Sequence, residues 1–172
     1  MSVSDLHLRP VRLSDEDVVR DAQRELEIEA FDFAIGLRPD SSWPEYVEQL
    51  ELVRRAARLP APWVPATFLL AVVGDDVVGR TSIRHGLNDY LLAAGGHIGY
   101  AVLPQFRRRG FATEILKQSL IVARSYDVGR VLVTCDEDNE ASASVITRCG
   151  GVLENIVDDP EGGPRKRRYW ID

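Results

Sequence analysis

The chain has 172 residues, 45% hydrophobic and 28% charged, which is the composition of a soluble globular protein long enough to bury one ordinary core. Its formal charge of −6 argues against bulk attraction to nucleic acid, because a polyphosphate binder shows a basic surplus as well as a basic patch. No apolar stretch approaches the roughly 20 residues of a membrane span, and the two cysteines, Cys135 and Cys149, follow no metal-ligand spacing and are too few for a disulfide framework. The opening MSVSDLHLRPV lacks a charged leader followed by an apolar core. The expectation is one domain over residues 1–172, cytoplasmic, with reduced and packed thiols and no metal.

Leu6, Leu8 and Val11 alternate with His7 and Arg9 and predict a first strand. Ser14, followed by Asp15, Glu16 and Asp17, reads as an N-cap with acids that complement a helix N-terminus, opening a helix to about Ala30. IGLRPDSSW is loop, and Tyr46, Val47, Leu50, Val53 and Ala57 keep helical spacing from Pro44 to Leu59. PAPWVP breaks that pattern. TFLLAVVGDDVVGRTSI then gives two β-rich runs around Gly74, Asp75 and Asp76, a hairpin whose first strand is apolar at successive positions and so is expected to be buried on both faces. A loose segment, RHGLNDYLLAAGG, leads to the strand HIGYAVLP, which Pro104 stops. A helix follows from about Gly110 to Tyr126, with Phe111, Ile115, Val122 and Tyr126 on one face and Leu116 and Leu120 beside it. The strand RVLVTC comes next, then a short helix with Asn139 at its front, Arg148 near its end and Gly150 just past it. VLENIV and RRYWI are two final strands, separated by the turn DDPEGGPRK.

The stretch QFRRRGFATEIL carries the strongest chemical signal. Arg107, Arg108 and Arg109 stand where Ser, Thr, Asp or Asn would cap the helix, so about four backbone donors lack partners. Cations beside the positive end of a helix dipole are unfavourable unless an anion sits there too. Gly110 lets backbone approach such an anion, and Ala112 keeps the first turn narrow. A glycine-bearing anion nest and a solvated arginine loop both fit these residues. No run ends in Gly-Lys-Ser/Thr, and no GxGxxG follows a strand.

Arg107-Arg108-Arg109-Gly110-Phe111-Ala112 resembles the Arg/Gln-x-x-Gly-x-Gly/Ala signature of the GNAT superfamily of acyl-coenzyme A dependent N-acetyltransferases. The likeness extends over essentially the whole chain and is strongest from Gly95 to Ile156. LNDYLLAAGGHIGY, CDEDNEASASVITRCGGVLEN and RYWI further resemble a bacterial subgroup of predicted acetyltransferases without a defined acceptor. The resemblance implies an α/β (α+β) fold: a mixed, mostly antiparallel sheet of six to seven strands, splayed between strands 4 and 5, with helices on both faces. It implies acetyl-coenzyme A as co-substrate, with the backbone of Ala101, Val102 and Leu103 pairing with the pantetheine arm. The pyrophosphate would lie on the cradle from Arg107 through Arg108, Arg109, Gly110 and Phe111 to Ala112, with the Thr113 hydroxyl added. Asn139 and Ser142 would touch the cofactor arm, and helix capping is the plain alternative for Asn139.

Acyl transfer to an amine needs a deprotonated, positioned amine, a polarised carbonyl and a proton for the departing thiolate. Aligned with the superfamily pattern, Ile146 stands where many members place the tyrosine that supplies that proton. Tyr100, Tyr90 and Tyr169 are the substitutes, and the thiolate, with a pKa of about 8.5, can also leave unaided. His97 is the first candidate for general base and Asp136 the next, at the carboxyl end of its strand, whereas Glu137 reads as helix-dipole complementation. His85, Asn88 and Asp89 are expected to wall the acceptor pocket, as are Glu25, Glu27 and Glu29, whose charge would favour a cationic amine. No histidine adjoins either cysteine in sequence, which disfavours a covalent cysteine mechanism. The basic cluster PRKRRYW is a solvated turn or a contact for the cofactor's 3′-phosphate. The expected function is acetyl transfer to a primary amine of a small molecule or peptide, without nucleic-acid or membrane partners, and with the final strand RRYWI available for a homodimer. A non-catalytic acyl-coenzyme A binding or sensing module is the alternative.

Overall fold

The computed structural model describes residues 1–57, 59 and 61–172. In chain order it comprises β1 (His7–Arg9), α1 (Glu16–Glu27), α2 (Trp43–Arg54), β2 (Ala66–Val73), β3 (Asp76–Arg84), β4 (Ile98–Val102), α3 (Phe111–Ser125), β5 (Val131–Asp136), α4 (Glu140–Arg148), β6 (Val152–Val157) and β7 (Lys166–Ile171). The strands form two antiparallel sheets, ordered β1-β2-β3-β4 and β5-β7-β6. This is the α/β fold expected, with seven strands and a break between the fourth and fifth.

The apolar run of β2 serves two cores. Phe68, Leu70 and Val72 pack with Val19 and Leu26 of α1 and Tyr46 of α2, while Leu69, Ala71 and Val73 face the α3 side with Leu116, Phe111 and Ile115. Burying each such large side chain contributes about 1.5–3 kcal/mol. Helices therefore cover both faces, as the double-sided hydrophobicity required. The hairpin closes tightly, with Val73 opposite Asp76 and Gly74 at φ 60°.

Three boundaries differ from the sequence pattern for local reasons. A 3-10 turn, Leu13–Asp15, precedes α1, and neither Ser14 nor Asp15 caps it with a side-chain bond. The Asp15 carboxylate instead accepts from both Arg9 guanidinium nitrogens, at 2.7 and 2.9 Å, and from the Arg12 N–H at 2.7 Å. Those three bonds hold the carboxylate against Arg9 and Arg12 in place of the helix cap. The helices α1 and α2 stop at Glu27 and Arg54, ahead of the expected Ala30 and Leu59, where Ala30 and Ala56 turn left-handed at φ 55° and 56°. The expected continuation through Arg58, and Pro60 of the breaker PAPWVP, lie outside the described residues. RRYWI is also not an exposed edge. It lies in β7, which pairs with β5 on one side and β6 on the other, so β6 is the edge strand.

The two sheets meet at one point. The segment expected as loop ends in a π-helical turn, Leu91–Gly95, which lays Gly96 and His97 against β5. Thr134 Oγ1 donates to the Ala94 carbonyl at 2.6 Å, His97 N–H donates to the Leu132 carbonyl at 2.7 Å, and Leu132 N–H donates to His97 Nδ1 at 2.9 Å. Gly96, at φ +66°, is needed there because a Cβ would stand 2.8 Å from the Leu132 carbonyl oxygen. Beyond His97 no pairing between β4 and β5 occurs among the described residues, and the strands diverge.

His97 is buried, and burial together with the Arg84 cation lowers its pKa. Unfolded His97 takes up a proton near about pH 6.5, whereas the folded ring resists it to lower pH, so the unfolded state binds more protons below that point and stability falls as the pH drops. We expect thermal unfolding to show a larger loss of Tm between about pH 7.5 and about pH 5.5 in the native protein than in His97→Asn, whose amide oxygen can accept the Leu132 bond without titrating.

Candidate active site

The divergence of β4 and β5 opens a channel of about 750 Å³, bordered by the end of α1, β4, the start of α3 and one face of α4. Leu103 N–H bonds to the Val78 carbonyl, so Ala101 and Leu103 direct their backbone groups to β3. By the alternation of an antiparallel ladder, Tyr100 and Val102 present theirs to the open edge. Of the three residues expected along that edge, Val102 is so placed. Its carbonyl accepts from Arg107 Nε at 3.0 Å, which leaves its N–H and both groups of Tyr100 available.

At the rim, α3 begins without a side-chain cap at Gly110, φ +86°, preceded by Arg108, also left-handed at φ 63°. Among the described residues the backbone N–H groups of Arg108 through Thr113 have no hydrogen-bond partner, whereas Glu114 N–H donates to the Gly110 carbonyl at 3.3 Å. Alternating left-handed residues ahead of a helix dipole gather these donors into a concave nest suited to a compact anion. Arg107, Arg108, Gly110, Phe111, Ala112 and Thr113 all line the channel. Arg109 does not, because its guanidinium turns back over the Phe106 ring, 5.9 Å from the centroid. Arg107 has a second task. It grips Glu29 bidentately at 3.0 and 2.7 Å, and this bond lowers the Glu29 pKa. Glu29, expected to attract a cationic amine, is thereby neutralised at the channel wall.

The far wall is α4. Asn139 caps it by accepting from Ser142 N–H at 3.0 Å, and both residues also line the channel. Ser142 Oγ lies 2.9 Å from Tyr100 Oη across the gap. Burial raises the Tyr100 pKa well above the phenol range, so this hydroxyl stays protonated and can donate a hydrogen bond. Ile146 is fully buried in the core and does not face the channel. Tyr169 is core as well, and Tyr90 lines a different cavity.

The two expected bases lie elsewhere. His97 is committed through Nδ1 to the sheet junction, and Asp136 is ion-paired with Lys166 and is not among the residues that line the channel. Glu137 pairs with Arg165, Arg167 with Glu140 and Arg168 with Glu154, so the cluster PRKRRYW is a ladder of ion pairs holding β7 to its neighbours. His85 bonds Thr67 Oγ1 at 2.8 Å and stacks on Tyr126, while Asn88 is the member of its trio that reaches a cavity wall. Burial pushes the Cys135 and Cys149 thiols up, away from nucleophilic thiolate. Nothing in the sequence pattern signals the Arg107–Glu29 clasp or the Tyr100–Ser142 contact, which join residues 78 and 42 positions apart.

The profile of the acetyltransferase (GNAT) domain matches residues 5–152. No curated protein matches the sequence. Among solved structures, RimJ of Mycobacterium smegmatis in complex with a coenzyme A disulfide superposes with a TM-score of 0.71 at 18% identity, covering 96% of this chain and 81% of that one. RimL, a ribosomal L7/L12 alpha-N-protein acetyltransferase in complex with coenzyme A, gives 0.70 at 20% identity, covering 98% and 94%. Spermidine N-acetyltransferase from Vibrio cholerae, with coenzyme A and spermine, gives 0.68 at 15% identity, covering 98% and 95%. At these identities the likeness establishes the fold.

Gly110 holds its left-handed conformation with only Val3 Cγ2 near, 3.5 Å from where a Cβ would stand. Gly110→Ala therefore meets strain without a clash, and urea unfolding should show a loss of about 1 kcal/mol with an unchanged m-value.

Proposed function

The chain belongs to the GNAT acetyltransferase family, and on that premise we propose that its channel holds acetyl-coenzyme A and that the protein passes the acetyl group to a primary amine by direct attack. The observation that carries this reading is the continuity between the unpartnered amides from Arg108 to Thr113 and the open edge of β4. An anion nest alone suits any phosphate. A nest running into a slot edged by free strand donors and acceptors suits a diphosphate attached to an amide-bearing arm.

In this reading the Arg108 to Thr113 amides hold the pyrophosphate, the Thr113 hydroxyl assists, Tyr100 and Val102 offer their backbone to the arm, and Asn139 and Ser142 form the opposite wall. Acetyl-coenzyme A supplies the acetyl group already activated as a thioester. Tyr100, kept protonated by burial and oriented by Ser142, is the donor for the departing sulfur. With His97 and Asp136 engaged elsewhere and the channel carboxylates Glu29 and Glu140 held by Arg107 and Arg167, the amine enters neutral, and the proton its nitrogen loses on attack passes to the departing sulfur by way of the Tyr100 hydroxyl. RimL and the spermidine enzyme act on a protein N-terminus and a polyamine, so this fold takes acceptors of opposite kinds and the acceptor must be read from the pocket itself. We place the protein in the cytoplasm on its reduced thiols, and a second copy, where present, against the β6 edge.

Arg108→Glu with Gly110→Asp should abolish coenzyme A binding in calorimetry while circular dichroism stays native; unchanged affinity overturns the cradle. Tyr100→Phe should lower kcat by about 10²-fold with little change in KM for acetyl-coenzyme A. Tight acetyl-coenzyme A binding without free thiol released over a broad amine panel would instead support the binding-module reading.

A further inference from the structure

A second cavity, of about 250 Å³, lies between α2, residues 62–64 and the α2-facing side of β2 and β3. Its walls are apolar and aromatic, with Tyr46, Trp63, Phe68 and Tyr90 among them, and none of its lining residues is acidic. One of them is Arg84.

Two arginines on the same face of β3 are treated differently. Arg80 donates to the carbonyls of Phe33 at 3.0 Å, Asp32 at 2.7 Å and Gly99 at 2.9 Å, and lies over the Phe31 and Phe68 rings. All three of its nitrogens are engaged. Arg84, four residues on, is partly buried, and among the described residues its guanidinium makes no ion pair and no hydrogen bond. A desolvated guanidinium is rarely left so, because each unmet donor costs free energy. The Tyr46 hydroxyl is a second orphan in the same wall, buried without a partner. The cavity also reaches β4, on whose other face the channel lies. Arg84 Nη1 lies 3.2 Å from where a Cβ on Gly99 would stand, and the next residue, Tyr100, lines the channel.

We propose that this cavity is the acceptor pocket and that the acceptor is a hydrophobic α-amino acid, its carboxylate held by the Arg84 fork and its side chain among the aromatic walls. The proposal rests on the channel holding acetyl-coenzyme A. A guanidinium fork matches a carboxylate with two parallel bonds, and a carboxylate one carbon from the amine fixes the nucleophile's position. A polyamine finds no anion there and meets the Arg84 cation. That cation and the apolar walls also lower the pKa of the bound ammonium, which favours the neutral amine that direct attack requires.

The test is calorimetric titration of the full chain, saturated with coenzyme A, with L-phenylalanine, L-phenylalanine methyl ester, phenethylamine and spermidine. L-phenylalanine is expected to bind at least about tenfold tighter than the ester or phenethylamine, and spermidine not at all. Arg84→Met should abolish that preference while raising Tm, because it deletes an unpaired desolvated cation; Arg84→Lys should keep part of it. Equal binding of acid and ester, undiminished acid binding by Arg84→Met, a preference for spermidine, or no amino-acid binding overturns the proposal. Coenzyme A affinity, measured first and separately, keeps failure of the channel distinct from failure of the pocket.

Discussion

The paired bonds between His97 and Leu132 hold β4 and β5 together at one end and nowhere else among the described residues. A continuous ladder would satisfy every backbone group between the strands and leave no room for a ligand. A break along their whole length would expose two strand edges and separate the two halves of the core. One clamp, made close by the lack of a Cβ at Gly96, gives the chain both a joined core and an open slot. The channel, the free groups of Tyr100 and Val102, and the facing of Tyr100 to Ser142 all follow from where that clamp stops.

Charge is arranged around the slot with economy. Most arginines near it are already committed: Arg107 to Glu29 and the Val102 carbonyl, Arg80 to three carbonyls, Arg167 and Arg168 to acids across the second sheet. Such pairs fix positions more than they add stability, since exposed ion pairs are worth little. Against this background, and beside the buried Nε atoms of the ion-paired Arg167 and Arg168, three groups among the described residues stand out as unsatisfied: the amides at the start of α3, the Arg84 guanidinium and the Tyr46 hydroxyl. Each lies on the wall of a cavity, which is where unmet donors are tolerable if a ligand meets them.

Much of this was legible in the sequence, and the parts that were have local causes. Successive apolar residues from Phe68 to Val73 favour a strand buried on both faces, and Asn139, with its short acceptor side chain, suits the start of a helix. Arginines in place of a cap before Gly110 announced unpaired amides. The parts that differ depend on spatial partners. Asp15 reads as a helix-dipole acid because its pairing with Arg9 is a matter of geometry, His97 reads as a base because the ordinary imidazole pKa suits one, and Arg109 reads as part of the cradle because a spacing rule cannot see it turn over Phe106.

The sequence by itself determined the elements, the two-faced sheet and the anion nest, because propensity, periodicity and capping act within a few residues along the chain. Tertiary structure decided which arginine is spent and which is free, which tyrosine meets a hydroxyl, and which strand carries an open edge. Those outcomes turn on hydrogen-bond partners tens of residues away, and a partner is assigned only when the chain has closed around it.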